Sequence, residues 1–137
     1  MSTINFNPYV DGVPGTSIPL VSERCTTNSK TWRSRVSTLP SEGQVTLTIT
    51  TSVSKKGVRR NRMVLNIPRM TAPVGVNPAT GLPYTPTVAD STTHIQEVLV
   101  PATAVSGDVS DNYLSSTSLY ANIEIKDIMR SGFSLTC

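Results

Sequence analysis

The chain is short of the residues that catalysis and metal binding need. Its 137 residues hold one histidine, His94, and two cysteines, Cys25 and Cys137. One imidazole and two distant thiols supply neither a metal-ligand spacing nor a disulfide framework. No nucleophile-elbow pattern accompanies His94, so a hydrolytic triad is not expected either. The expectation is a protein that is not an enzyme, with no metal, no cofactor and no small-molecule substrate. No stretch approaches the ~18 apolar residues of a membrane span. The N-terminus lacks the basic and then apolar regions of a signal peptide, so a reduced cytosolic setting and no membrane partner are expected. Aromatic residues are 5% and charged residues 15% of the chain, the latter well below the ~25% usual for soluble domains. The core must therefore be aliphatic, and Ser and Thr must carry much of the surface. That composition suits strands and turns better than long surface helices.

Acids are missing from the middle of the chain. None lies between Glu42 and Asp90, while Lys55, Lys56, Arg59, Arg60, Arg62 and Arg69 all fall there. After Val98 the balance reverses, with Asp108, Asp111, Glu124 and Asp127 against Lys126 and Arg130. A net charge of +3 says little; its concentration in Gly43 to Ala89 points to a polyanion.

Periodicity supplies the elements. Thr3 to Tyr9 and Thr16 to Ser22, joined by the turn Asp11-Gly12-Val13-Pro14-Gly15, predict an N-terminal hairpin. Thr31 to Thr38, with Trp32, predicts a short strand that Pro40 and Gly43 end. Gln44 to Val53 is the clearest element: Val45, Leu47, Ile49 and Val53 share one face, and Thr46, Thr48, Thr50 and Ser52 share the other. A turn at Ser54 to Val58 leads to a partner strand, Arg59 to Ile67. That strand places Met63, Leu65 and Ile67 on the apolar face and Arg60, Arg62, Val64 and Asn66 opposite, with a break in period near Arg60.

Pro68 to Asp90 carries five prolines and is expected to be a long connection, not an internal strand. Ser91 to Val100 predicts the last strand, with His94, Gln96, Val98 and Val100 on one face and Thr93, Ile95, Glu97 and Leu99 on the other. N-caps at Ser106 to Asp111 open a helical tail. The weak helix formers Ser115 to Ser118 predict two short helices, the second carrying Ile125, Ile128 and Met129 and ending at Gly132. A sheet with an apolar face must be covered, and this tail is a modest cover, so a second copy of the chain is the expected partner.

This order of elements resembles the coat proteins of single-stranded RNA bacteriophages, the levivirus type. The pieces that carry the likeness are Ile4-Asn5-Phe6, Trp32, Val45 to Arg69, and Glu97-Val98-Leu99-Val100-Pro101. The resemblance implies an α+β fold: an N-terminal β-hairpin plus a five-stranded antiparallel sheet, then two C-terminal helices that clasp a partner subunit. In this reading residues 1–137 are one coat-protein domain, with the hairpin at 1–22, the sheet at 23–101 including the loop 68–90, and the helical dimerisation segment at 106–132. It further implies homodimers that build an icosahedral capsid in the host bacterial cytoplasm. The inner sheet face meets single-stranded RNA, and a dimer can bind an RNA hairpin to repress replicase translation.

Carried over by position, the RNA-binding residues are Thr46, Thr48, Thr50, Ser52, Lys55, Lys56, Arg60, Arg62, Thr93 and Glu97. Cations neutralise phosphates and release counterions, and hydroxyls bond to phosphate, ribose or base edges. The loop residues Pro73, Gly75, Pro78, Gly81 and Pro83 are the expected assembly contacts. The sequence departs from the pattern at Val64 and Ile95, where polar or basic groups are expected, and at Thr93, where a base-stacking aromatic is expected. General packaging is thus favoured over recognition of one hairpin. Read without the resemblance, the Thr stripe is β-propensity on a solvent face, and Lys55 to Arg62 is a solvated turn. The alternative to a coat protein is a cellular β-sheet RNA-binding module without shell assembly; a secreted adhesin-like domain ranks below it. Trp32 is expected to pack at a strand or dimer interface, and His94 to be structural beneath the helices.

Overall fold

Alternation of β-branched residues with polar ones fixes the centre of the molecule. Thr46–Val53 forms strand β6, with Leu47 and Ile49 toward the core and Val53 exposed at its end. The computed structural model describes residues 3–10, 13–71 and 75–120. In chain order its strands are β1 (Thr3–Phe6), β2 (Tyr9–Val10), β3 (Val13–Pro14), β4 (Ile18–Cys25), β5 (Ser29–Ser34), β6, β7 (Arg59–Thr71) and β8 (Thr87–Val100). A 3₁₀ turn at Ser41–Gly43 precedes β6, and helix α1 spans Ser106–Tyr120.

Six strands form one antiparallel sheet in the order β1-β4-β5-β6-β7-β8, and β2 pairs with β3 in a separate small ribbon. The hairpin expected at the N-terminus is therefore not a unit apart from a five-stranded sheet. Thr3 pairs with Val21 and Phe6 with Ile18, so β1 extends the main sheet at one edge. The turn between them carries the ribbon.

The core is small and lies to one side. Leu20, Trp32, Val45 and Leu47 are the buried apolar residues, with Ile4, Phe6, Ile49, Met63, Leu65 and Ile67 packed against them. Trp32 is thus a core residue. Its indole nitrogen is buried without a hydrogen-bond partner, and the Lys30 ammonium stands 5.0 Å from the ring centroid, within cation–π range.

The Gln44 side chain secures the connection between β5 and β6. Its Oε1 accepts from Ser34 Oγ at 2.8 Å and from the Val36 amide at 3.0 Å. Its Nε2 donates to the carbonyls of Val36 and Leu39 at 2.9 and 3.0 Å. The Ser34 hydroxyl also accepts from the Val45 amide. A buried amide so satisfied rigidifies its surroundings. Beside it, an added Cβ at Gly43 would lie 2.6 Å from the Met70 sulfur, so a larger residue there would require the Met70 side chain to shift.

Several expectations need correction. β7 runs to Thr71 and β8 begins at Thr87, so the connection is shorter than Pro68 to Asp90. Pro68 sits within a strand, opposite Ser91. β6 pairs with β7 only as far as Asn66, so at Pro68 one side of β7 is an open edge, where a missing N–H is tolerated. No break in period occurs near Arg60; the register shifts instead between Arg69 and Met70. α1 begins at Ser106 and continues through Ser115 to Ser118 as one helix. The hydroxyls of Ser115, Ser116, Thr117 and Ser118 bond back to carbonyls three or four residues earlier, so they do not break the helix. The second predicted helix, Gly132 and Cys137 lie outside the described residues. His94 shares the sheet side of Leu65 but is exposed, not covered by α1.

Candidate nucleic-acid interface

The hairpin of β6 and β7 is closed by a turn in which the Ser54 amide donates to the Val58 carbonyl and the Gly57 amide to Ser54. Gly57 has φ 77°, a left-handed conformation that glycine adopts without strain. The turn holds Lys55 and Lys56 out into solvent at one end of the sheet.

Register then decides which side chains share the face opposite the core. Thr46, Thr48, Thr50 and Ser52 stand opposite Asn66, Val64, Arg62 and Arg60. Those four stand opposite Thr93, Ile95, Glu97 and Leu99. All ten residues assigned to RNA from the sequence thus lie on one surface or at its tip. Period two carries this through three strands. The strand that sequence reasoning left out is β5: Thr31 and Arg33 pair with Thr48 and Thr46 and extend the same face. The signal was present, since both flank Trp32, which points into the core.

The face is electrically uneven. Arg60 Nη2 donates to Glu97 Oε2 at 2.7 Å. That hydrogen bond first, and the charge of Glu97 second, raise the guanidinium's pKa above its ordinary value. Arg33 Nε lies 3.2 Å from Glu23 Oε2, close enough for an ion pair but out of line for a hydrogen bond. Arg62 makes no ion pair among the described residues. Asn66 Oδ1 is buried on this face without a partner. Next to these polar groups stand exposed aliphatic ones, Ile95 at 56% and Leu99 at 61%.

Two further regions flank the face. The connection from Gly75 to Pro83 has its own order. Val76 bridges Pro83, the Asn77 amide donates to Leu82, and the Ala79 amide donates to the Asn77 side chain. It exposes Val76, Leu82 and Tyr84. Gly75, Pro78, Gly81 and Pro83 belong to this hairpin-like loop, whereas Pro73 lies outside the described residues. At its base Arg69 Nε donates to Asp90 Oδ1 at 2.9 Å and Nη2 reaches Oδ2. The hydrogen bond from Arg69 lowers the Asp90 pKa below its ordinary value.

The other region is the β8 edge of the sheet, β1 being the opposite edge. β8 is fourteen residues long, has a neighbour on one side only, and is mostly exposed. Between it and α1 runs a cleft of about 550 Å³, whose apolar lining includes Val98, Val100, Val109 and Tyr113. Among the described residues no group of His, Cys, Asp and Glu is arranged to hold a metal ion.

No family model matches the sequence, and no curated protein matches it. Solved structures do match. The virus-like particle of bacteriophage NT-214 superposes with a TM-score of 0.80 at 16% identity, over 99% of this chain and 98% of that one. The bacteriophage GA capsid protein gives 0.69 at 19% identity, over 96% and 95%. The bacteriophage EMS014 coat protein gives 0.67 at 22% identity, over 86% of this chain and 71% of that one. Identities this low establish shape and not activity, and the chain has the fold of these bacteriophage coat proteins.

Proposed function

We propose that the chain is the structural coat protein of a single-stranded RNA bacteriophage. It pairs with a second copy, assembles into an icosahedral shell in the host cytoplasm, and packages genomic RNA against the Thr/Arg face. The observation that carries this is a fold shared over nearly the full length of both chains with proteins of virus-like particles. A long, exposed edge strand supports the pairing, because an unpaired row of backbone donors and acceptors is a template for another strand. The cleft beside it, where Val98, Val100, Val109 and Tyr113 stand among polar groups, supplies a surface for a partner to bury. Charge supports the choice of face: Lys55, Lys56, Arg60 and Arg62 gather on the side away from the core.

Packaging is the primary role and repression of translation a secondary one. Val64 and Ile95 offer no hydrogen bond to a base edge, so a face containing them reads charge and shape more than sequence. The test is to express the full chain, purify it gently, and combine electron microscopy with ultraviolet absorbance. Uniform closed shells containing RNA are expected. A small species under all conditions, or shells free of nucleic acid, would refute assembly or packaging respectively.

A further inference from the structure

The acid on the proposed RNA face has an effect opposite to that of its neighbours. Glu97 was grouped with the RNA-binding residues by position, yet it is a carboxylate facing the same side as Arg60 and Arg62. Its Oε2 accepts from Arg60 Nη2 at 2.7 Å. In the register it stands directly opposite Arg62, the strand guanidinium on this face without an ion pair among the described residues. One carboxylate is therefore placed against two cations. Neither member of the formed pair is buried: the side chains of Arg60 and Glu97 are 53% and 30% exposed. Glu97 also lines the cleft between β8 and α1, and Arg60 is its hydrogen-bond partner among the described residues.

We propose that Glu97 is an intramolecular stand-in for phosphate, holding Arg60 in place until an RNA phosphate displaces it, and thereby setting how tightly and how specifically this face holds RNA. The inference rests on the reading of this face as the RNA surface. An exposed ion pair is a weak lock, so exchange for an incoming phosphate is cheap. A phosphate offers the guanidinium the same two-oxygen geometry as a carboxylate and carries its charge within a polyanion, where counterion release adds to the gain. Before exchange the pair keeps the arginine extended in a binding-ready pose and lowers the net charge of the sheet. A muted face discriminates against weak, scattered anions. It yields to a strand that presents several phosphates at once.

The experiment measures binding of a short fluorescein-labelled oligouridylate to the purified full-length chain across a salt series. Wild type, Glu97→Gln, Arg60→Gln and the double variant are compared. Glu97→Gln is expected to bind about threefold or more tightly. Its log–log salt slope should stay near that of wild type, because Arg60 meets a phosphate in both complexes once Glu97 is displaced. Arg60→Gln should lose more affinity in the Glu97→Gln background than in wild type, since only there is Arg60 fully available. Unchanged or weaker binding by Glu97→Gln would overturn the proposal. If wild type and all variants fail to bind even at low salt, the RNA reading of the face fails, and the stand-in role falls with it. Thermal unfolding of each variant identifies any change that comes from lost structure, and the Arg60 comparison between two backgrounds still reads the exchange.

Discussion

The two halves of the sheet are built to different degrees of completion. Around β4, β5 and β6 every component is supplied by the chain itself. Leu20, Trp32, Val45 and Leu47 are buried, β1 covers an edge, and the Gln44 amide closes the connection with four hydrogen bonds. Around β8 almost nothing is buried, although this is the longest strand. Val98 and Val100 look into a cleft, and Leu99 and Ile95 stand exposed. In the proposed assembly, the β8 side is where a second copy completes the sheet. On that proposal the first half carries the stability of the folded chain, and the second its association.

Substitutions in the two halves should therefore fail differently. The largest effect is expected in the closed half. Gln44→Leu keeps the volume but strands the Ser34, Val36 and Leu39 groups, costing about 2–4 kcal/mol. Leu47→Ala should cost a similar ~2–4 kcal/mol through its cavity. Denaturant unfolding at one fixed chain concentration reads both, because association otherwise contributes to apparent stability. A loss below about 1 kcal/mol at both positions would mean that this half is not the stabilising one.

Next in size is the open half. Val98→Asp together with Tyr113→Asp should raise the dissociation constant of the dimer by more than tenfold, since each buries a charge at an apolar contact. The separated chain should keep the structure of β4, β5 and β6 and lose only part of that around β8. Sedimentation velocity with circular dichroism distinguishes the two behaviours. Unfolding instead of dissociation would show that β8 and α1 hold the single chain together.

Smaller again is the expected effect on RNA content. Arg62→Glu reverses a charge that has no ion-pair partner among the described residues. It should reduce the RNA recovered with the protein and flatten the salt dependence of binding by about one contact. The ultraviolet absorbance ratio and filter binding measure it, and an unchanged ratio would move the RNA surface elsewhere.

The smallest effect concerns acid. Arg69 lowers the Asp90 pKa, so the pair stabilises the folded state above the ordinary carboxylate range. That contribution is lost as pH falls through the lower folded-state value. Asp90→Asn should narrow the difference in thermal midpoint between neutral and acidic solution, and both proteins should converge in strong acid. Parallel curves at every pH would show that the pair contributes nothing measurable, as exposed pairs often do.

Much of this division was legible in the sequence. The alternation of Val45, Leu47 and Ile49 with Thr46, Thr48 and Thr50 fixed both faces of β6. The same period sorted β7 and β8 correctly, because side chains on paired strands must agree in register. What escaped was governed by neighbours. Pro68 reads as a terminator, but pairing on only one side lets the strand continue through it. Ser115 to Ser118 read as a helix break, but their hydroxyls found carbonyls within the helix. Gln44 gave no local signal at all, since its partners lie five to ten positions away. The Arg60–Glu97 pair joins residues 37 positions apart. Position alone marked Glu97 as facing RNA, and only the geometry showed it facing Arg60.

The claim that the β8 half is completed by a second copy is tested most directly by sedimentation equilibrium of the full-length chain. The measurement belongs under conditions that dissolve any shells but preserve the fold. The smallest fully folded species should be a dimer, and dilution to monomer should be accompanied by loss of structure around β8. A folded monomer, stable over the whole concentration range with β8 amides protected from hydrogen exchange, would contradict that claim.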